Sequence, residues 1–207
     1  MTLSAAEVNK LKQAPMIEGV LPVVLNRWSP RSFAGREVNP ADLRRVFEAA
    51  RWAASSSNEQ PWSYLVGTRS SSTYKKIFST LVGFNKEWAG AAPVLMLGVA
   101  STTFRHNGAT NAYAFHDLGA ASSYLTLQAA ALGLSAHQMA GYDHAAARKL
   151  FEIPESYSLG SVIALGYQGE PSALSNEKLI AQETSPRTRK LLSEFVLSEW
   201  GTPADLG

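Results

Sequence analysis

The chain contains no cysteine. Structural disulfides, thiolate metal sites and cysteine nucleophiles are excluded together. Charge is scarce as well: Asp, Glu, Lys and Arg make up 17% of the 207 residues and leave a net charge of +2. So small an excess argues against wholesale nucleic-acid binding. Long apolar runs are also missing. The most apolar stretch, Ala91 to Ala100, is ten residues long and is interrupted by Pro93 and Gly98. A membrane-spanning helix needs about twice that length. Residues 1–12 carry Leu3, Val8 and Leu11 singly among polar neighbours, without the apolar core of a signal peptide. A cytoplasmic protein with no membrane partner is expected.

Several catalytic signatures are absent too. There is no G-x-S-x-G elbow, no phosphate-cradling P-loop and no G-x-G-x-x-G fingerprint. The four histidines, His106, His116, His137 and His144, have no ligand spacing, so no metal site is expected. His116 and Asp117 are adjacent, but neighbours on a helix diverge, which argues against a catalytic dyad.

What remains is an ordinary globular composition, 45% hydrophobic, in a chain long enough for one sizeable core and short for two. A single domain spanning 1–207 is expected. Ile17, Val20, Leu21, Val24 and Leu25 predict an amphipathic helix over 17–27 with Pro22 inside it. The clearest helix has Asn39 as N-cap, Pro40 at its first position and Leu43, Val46, Phe47 and Ala50 as one stripe, stopping near Ala54. Strands are predicted at 64–67, 93–99, 134–139 and 159–167, with helices at 73–81, 113–132 and from Asp143 to about Phe151. From Gly169 the chain reads as an irregular arm with one extended piece, 194–197. Helices precede any strand and the alternation is unclean, which favours an α+β fold with a central mixed sheet.

Two segments stand out. Arg27-Trp28-Ser29-Pro30-Arg31-Ser32-Phe33 places two guanidinium groups and two hydroxyls at an element boundary. Arginine suits planar, bidentate recognition of phosphate, so Arg27 and Arg31 are candidates for one anion; stabilising the end of the preceding helix is the other reading. Ser55-Ser56-Ser57-Asn58-Glu59-Gln60-Pro61-Trp62 offers neutral donors and acceptors suited to a ring edge or a polyhydroxyl chain. A turn whose side chains satisfy its own backbone is the alternative. A second pair, Arg187 and Arg189, would share a face if extended, for phosphate or as a solvated basic patch.

Taken jointly, these segments resemble the FMN-dependent nitroreductase family from about Leu21 to Trp200. The resemblance implies a nitroreductase-like α+β homodimer with two FMN sites at the dimer interface. Arg-x-Ser-x-Arg-x-Phe over 27–33 is similar to the family's first flavin motif. Arg27 would then meet the FMN phosphate, with Trp28 beside it and Ser29 and Arg31 at the pyrimidine edge. The 54–62 segment resembles Pro-Ser-x-x-Asn-x-Gln-Pro-Trp, with Ala54 where proline is common. Ser55 and Ser56 would reach the flavin held mainly by the neighbouring subunit, and Asn58 and Gln60 are retained. Asn85 matches an asparagine that bonds the ring, while Trp88 stands where some members have lysine. Gln138, Met139, Ala140 and Gly141 resemble the segment along the flavin. Arg187 and Arg189 match a basic pair closing on the phosphate. Residues 1–14 would be an extension and 186–207 a C-terminal arm exchanged in the dimer. The implied reaction is ping-pong: NADH or NADPH reduces FMN, which then reduces a nitroaromatic, quinone or related acceptor. Another redox reaction on the same scaffold, or flavin binding without turnover, fits these motifs equally.

Overall fold

In the computed structural model residues 2–206 are described. The chain opens with α1 (Ala5–Lys12), where Ser4 and Glu7 form a capping box. The S-x-x-E signal lies in the sequence, although the isolated apolar residues of this segment suggest no helix. The helix expected over 17–27 is only α2 (Pro22–Asn26). Pro22 has no N–H to donate and sits at the first helical position, so the helix begins there rather than running through it. Gly19 turns the preceding chain with φ 79°.

Next come α3 (Pro40–Arg51), capped by Asn39, and β1 (Trp62–Thr68). Two short helices, α4 (Ser72–Thr80) and α5 (Gly83–Lys86), lead to β2 (Val94–Ser101). The long helix α6 (Ala114–Ala131) ends at Gly133, whose φ of 72° suits a helix stop. β3 (Ser135–Met139), α7 (His144–Phe151) and β4 (Tyr157–Gly166) follow, with Asp143 Oδ1 accepting from Ala146 N at the start of α7.

Among the described residues the central sheet has the order β1-β2-β4-β3 and every pairing is antiparallel. The expected mixed sheet is corrected. Thr68 at the end of β1 pairs with Val94 at the start of β2, so the α4–α5 excursion returns to the edge from which it left. A connection of that kind reverses the strand, whereas a crossover would have kept it parallel.

The core has two layers, one on each side of the sheet. Val94 and Met96 of β2 with Ile163 and Leu165 of β4 face α3 and α6. The alternate residues, Leu95, Leu97, Val99, Val162 and Ala164, face α4, α7 and Leu179. Side chains such as Leu95, Leu97 and Ile163 are fully buried, each contributing about 1.5–3 kcal/mol of transfer free energy.

The tail departs most from expectation. It contains a further helix, α8 (Glu177–Thr184), with Asn176 Oδ1 accepting from Leu179 N. The extended piece is a hairpin of β5 (Leu197–Glu199) and β6 (Thr202–Pro203), not residues 194–197, because Leu192–Glu194 turns as 3-10 helix. Leu191, Leu192, Phe195 and Trp200 of this arm are exposed.

Candidate functional site

The short α2 delivers Arg27 at its C-cap, where the backbone turns extended. Arg27 Nη1 donates to Ser29 Oγ at 3.2 Å. Arg187, arriving from beyond α8, donates from Nη1 to Arg27 O at 2.7 Å and from Nη2 to Leu25 O. The helix-end role considered for Arg27 and Arg31 therefore belongs to Arg187, which satisfies two carbonyls that α2 leaves without a partner. Arg189 is exposed, with Nη1 on Thr188 O at 2.7 Å.

These three cations crowd one another. Burial lowers the pKa of Arg27 and the charge of Arg189 lowers it further; burial, then Arg189 and Arg27, do the same to Arg187. None of the three has a carboxylate partner among the described residues. Half-buried guanidinium groups left without an anion form a site that favours one, and their forked donors suit phosphate.

Pro30 carries the chain toward β3, and its carbonyl accepts from His137 Nδ1 at 3.0 Å. Burial pushes the His137 pKa down to about 4, aided by Arg31 and Arg27 and opposed by its backbone bonds, so the imidazole is neutral at pH 7. Arg31 lies with its guanidinium carbon 5.6 Å from the Phe84 ring centroid. Its backbone N–H, with that of Ser32, donates to Glu183 of α8.

Segment 138–141 lies at the same sheet edge. Gln138 is exposed and its Oε1 accepts from Ser161 Oγ at 3.0 Å, whereas the Met139 side chain is part of the core. Ala140 is exposed. Asn85 Nδ2 donates to Gly141 O at 3.1 Å, and a Cβ on residue 141 would come within 2.6 Å of that nitrogen. A side chain at 141 would displace the Asn85 amide from this bond. Arg27, Trp28, Arg31, Asn85, residues 138–141 and Arg187 all lie on the β3 side.

The loop 55–60 does not. It leads into β1, the opposite edge, with β2 and β4 between. Three inter-strand spacings amount to about 14 Å. Ser55 Oγ accepts from Gln60 N at 3.0 Å and Gln60 Nε2 donates to Asn58 O at 3.0 Å. Ser57, Asn58 and Gln60 have φ near +52°, a conformation that costs an L-residue about 1–2 kcal/mol. Two buried carboxylates hold the loop there. Asp117 Oδ2 accepts from Ser56 N at 3.0 Å, and Glu59 Oε1 accepts from both N and Nε of Arg105 at 2.9 Å. His116 and Asp117, expected to diverge, are in contact at 3.2 Å, because Asp117 turns back over the first turn of α6 toward the loop. One carboxylate oxygen thereby serves the loop and the other serves the histidine.

The model for the nitroreductase family matches residues 24–167. A 15.4 kDa protein of Mycolicibacterium smegmatis is 33% identical over 148 residues, 68% of this chain and 98% of its own length. A protein of Archaeoglobus fulgidus, provisionally named NADH dehydrogenase/NAD(P)H nitroreductase, is 28% identical over 156 residues, 73% of this chain and 86% of its own. Among solved structures, an oxidoreductase containing FMN superimposes with a TM-score of 0.83 at 30% identity, covering 92% of this chain and 97% of that one. A nitroreductase from Desulfovibrio desulfuricans in complex with FMN shares the fold, with a TM-score of 0.70 at 23% identity over 89% and 98% of the two chains.

Proposed function

The chain belongs to the nitroreductase family, and on that premise we propose that it is an FMN-dependent oxidoreductase, working as a homodimer, that passes electrons from NADH or NADPH to small nitroaromatic, quinone or related acceptors. The observation that carries this reading is the cluster of Arg27, Arg187 and Arg189, which has no carboxylate partner among the described residues and whose Arg27 lies near His137 of β3. Its donor set fits the phosphate of FMN. A flavin anchored there would extend along the β3 edge, where the chain presents Asn85 and the backbone of Ala140 and Gly141.

Bound in this site, FMN supplies the redox chemistry, accepting a hydride from the nicotinamide and delivering electrons to the acceptor. The residues of this chain bind and tune it. Arg27 and Arg189 hold the phosphate; Arg187 shares that task while fixing the end of α2. Arg31 places positive charge at the pyrimidine edge, where negative charge grows on reduction. His137, neutral and buried, supports Pro30 without adding a cation to a site already rich in them. Donor and acceptor take turns over one ring face, so ping-pong kinetics follow.

The opposite placement of loop 55–60 supports the dimer. In one chain that loop leads into β1 while the arginine cluster lies on the β3 side, on opposite edges of a sheet about 14 Å across. A second copy, approaching with its β1 edge, brings Ser55, Ser56, Asn58 and Gln60 to the ring. Exposed Phe115 and Tyr124 on α6, and the apolar arm within 186–207, offer the surface that such a dimer buries. Residues 1–14 extend this single domain. Among the described residues no helix is long and apolar enough to cross a membrane. The nicotinamide donor is a cytoplasmic metabolite, and the same reading places the protein there.

An absorbance spectrum of the purified protein, before and after anaerobic NADH or NADPH, tests the proposal. Flavin bands that bleach with either nucleotide and return on adding a quinone or nitroaromatic are expected. A protein that stays colourless after incubation with FMN would overturn the reading.

A further inference from the structure

Glu183 is wholly inaccessible to solvent, yet it is a carboxylate on a short helix that the sequence alone does not reveal. Both its oxygens face the arginine motif. Arg31 N donates to Oε1 at 3.1 Å and to Oε2 at 2.9 Å, and Ser32 N donates to Oε1 at 3.1 Å. The second side of this clamp comes from α1. Lys12, 7% exposed, donates from Nζ to Gln182 O at 3.1 Å and lies 4.8 Å from the Trp28 ring centroid. Asn9 Oδ1 accepts from Trp28 Nε1 at 2.8 Å. Burial raises the Glu183 pKa; the backbone N–H groups of Arg31 and Ser32, and then the charges of Arg31 and Lys12, oppose that rise and favour the carboxylate. Both α1 and α8 lie outside residues 24–167, the stretch the family model matches.

A carboxylate without solvent is costly unless it is paired and hydrogen-bonded. Here it is hydrogen-bonded three times, with the positive charges of Lys12 and Arg31 nearby rather than in a direct ion pair, and its N–H donors are the backbone of the residues that aim Arg31. The charge therefore fixes the direction in which the motif leaves Pro30. We propose that Glu183, with Lys12 as its counter-ion, is a positioning residue for the arginine motif, directing Arg31 and, through Trp28, Arg27 at the flavin. This rests on the FMN reading given above.

Glu183→Gln keeps the size and one acceptor oxygen but removes the charge. Two effects of that change have opposite signs. Loss of a negative charge near the site, by itself, tightens binding of the FMN phosphate and raises the flavin midpoint potential. Loss of positioning weakens binding and lowers the potential, because Arg31 no longer favours the reduced ring. In full-length protein titrated with FMN, we expect at least a tenfold weaker Kd and a lower potential than wild type. Unchanged or tighter binding, or a raised potential, overturns the proposal.

Lys12→Met keeps Glu183 and much of the bulk of the lysine stem but strips its counter-ion. It should shift Kd and potential in the same directions by less; no shift in either overturns the proposal even if Glu183→Gln does not fold. Should wild-type protein fail to bind FMN, the functional reading fails, and amide hydrogen exchange at Arg31 and Ser32 decides the clamp separately. Slow exchange in wild type that becomes fast in Lys12→Met supports it, and equal exchange overturns it.

Discussion

The two halves of the candidate site are built on opposite principles. On the β3 side, Arg27, Arg187 and Arg189 adopt ordinary backbone conformations and carry the strain as charge: three guanidinium groups crowd together with no carboxylate partner among the described residues. On the β1 side, loop 55–60 carries almost no charge toward the ligand and takes its strain in the backbone, with three non-glycine residues at positive φ. Each half is held by a buried carboxylate from a distant element, Glu183 for the first and Asp117 for the second. A charged half gains most when an anion arrives. A strained neutral half is preorganised for hydrogen bonds and works on whatever ring the first half has anchored.

The sharpest break of this comparison is a complementation experiment. Arg27→Ala with Arg189→Ala in one chain, and Asn58→Ala with Gln60→Ala in another, should each give homodimers that bind little FMN. Mixed heterodimers contain one site in which both halves are intact, so about half the normal flavin should return. Were the halves to act within one chain, mixing would restore nothing.

The pH dependence of stability contributed by His137 comes next in size. Unfolded histidine takes a proton near pH 6.5, whereas His137 in the fold does so only at about 4. Between those values the unfolded chain binds more protons, so stability falls as pH is lowered from 6.5 to 4. The largest loss from this group is about 3 kcal/mol. Urea titrations at pH 7 and pH 4.5 measure it, and His137→Asn, which retains a donor for Pro30 O, should flatten the difference.

Single arginine substitutions follow. Arg27→Ala and Arg189→Ala should each weaken FMN binding by about 1.5–3 kcal/mol, the value of a hydrogen bond to a charged group. Fluorescence quenching of titrated FMN reads both. Unchanged affinity in the two variants would remove the phosphate from this cluster and leave the comparison without its charged side.

Much of this was legible beforehand for a physical reason. Helix α3 announced itself through Asn39, Pro40 and a stripe of apolar residues, and β2 through an almost wholly apolar run, because local signals and tertiary packing agree there. Where they disagree, reading failed. Pro22 overrode an apolar periodicity that seemed continuous across it. Helix α8 was hidden because one of its two fully buried side chains is charged: Glu183 faces inward as Leu179 does, opposite to what a carboxylate suggests on a helix. The sheet direction was hidden too, since it depends on whether α4 and α5 cross the sheet or return to the same edge. Of the site, the arginine and serine segments could be singled out by residue type. That Arg187 would spend its donors on α2, and Asn85 one of its own on Gly141, required coordinates.

The smallest effect tests the strained half directly. Ser57 is exposed and sits at φ 53°, so Ser57→Gly removes a Cβ clash without removing a packed side chain. Relief of that clash, less the greater entropy glycine loses on folding, should stabilise the protein by about 0.5–1 kcal/mol. The same freedom lets the loop wander before ligand arrives, so FMN affinity should fall by at most a few-fold. Opposite signs in the two measurements are the signature of strain kept for preorganisation. A variant that loses stability would show that the left-handed turn is comfortable as serine, and the contrast between a charged half and a strained half would then reduce to charge alone.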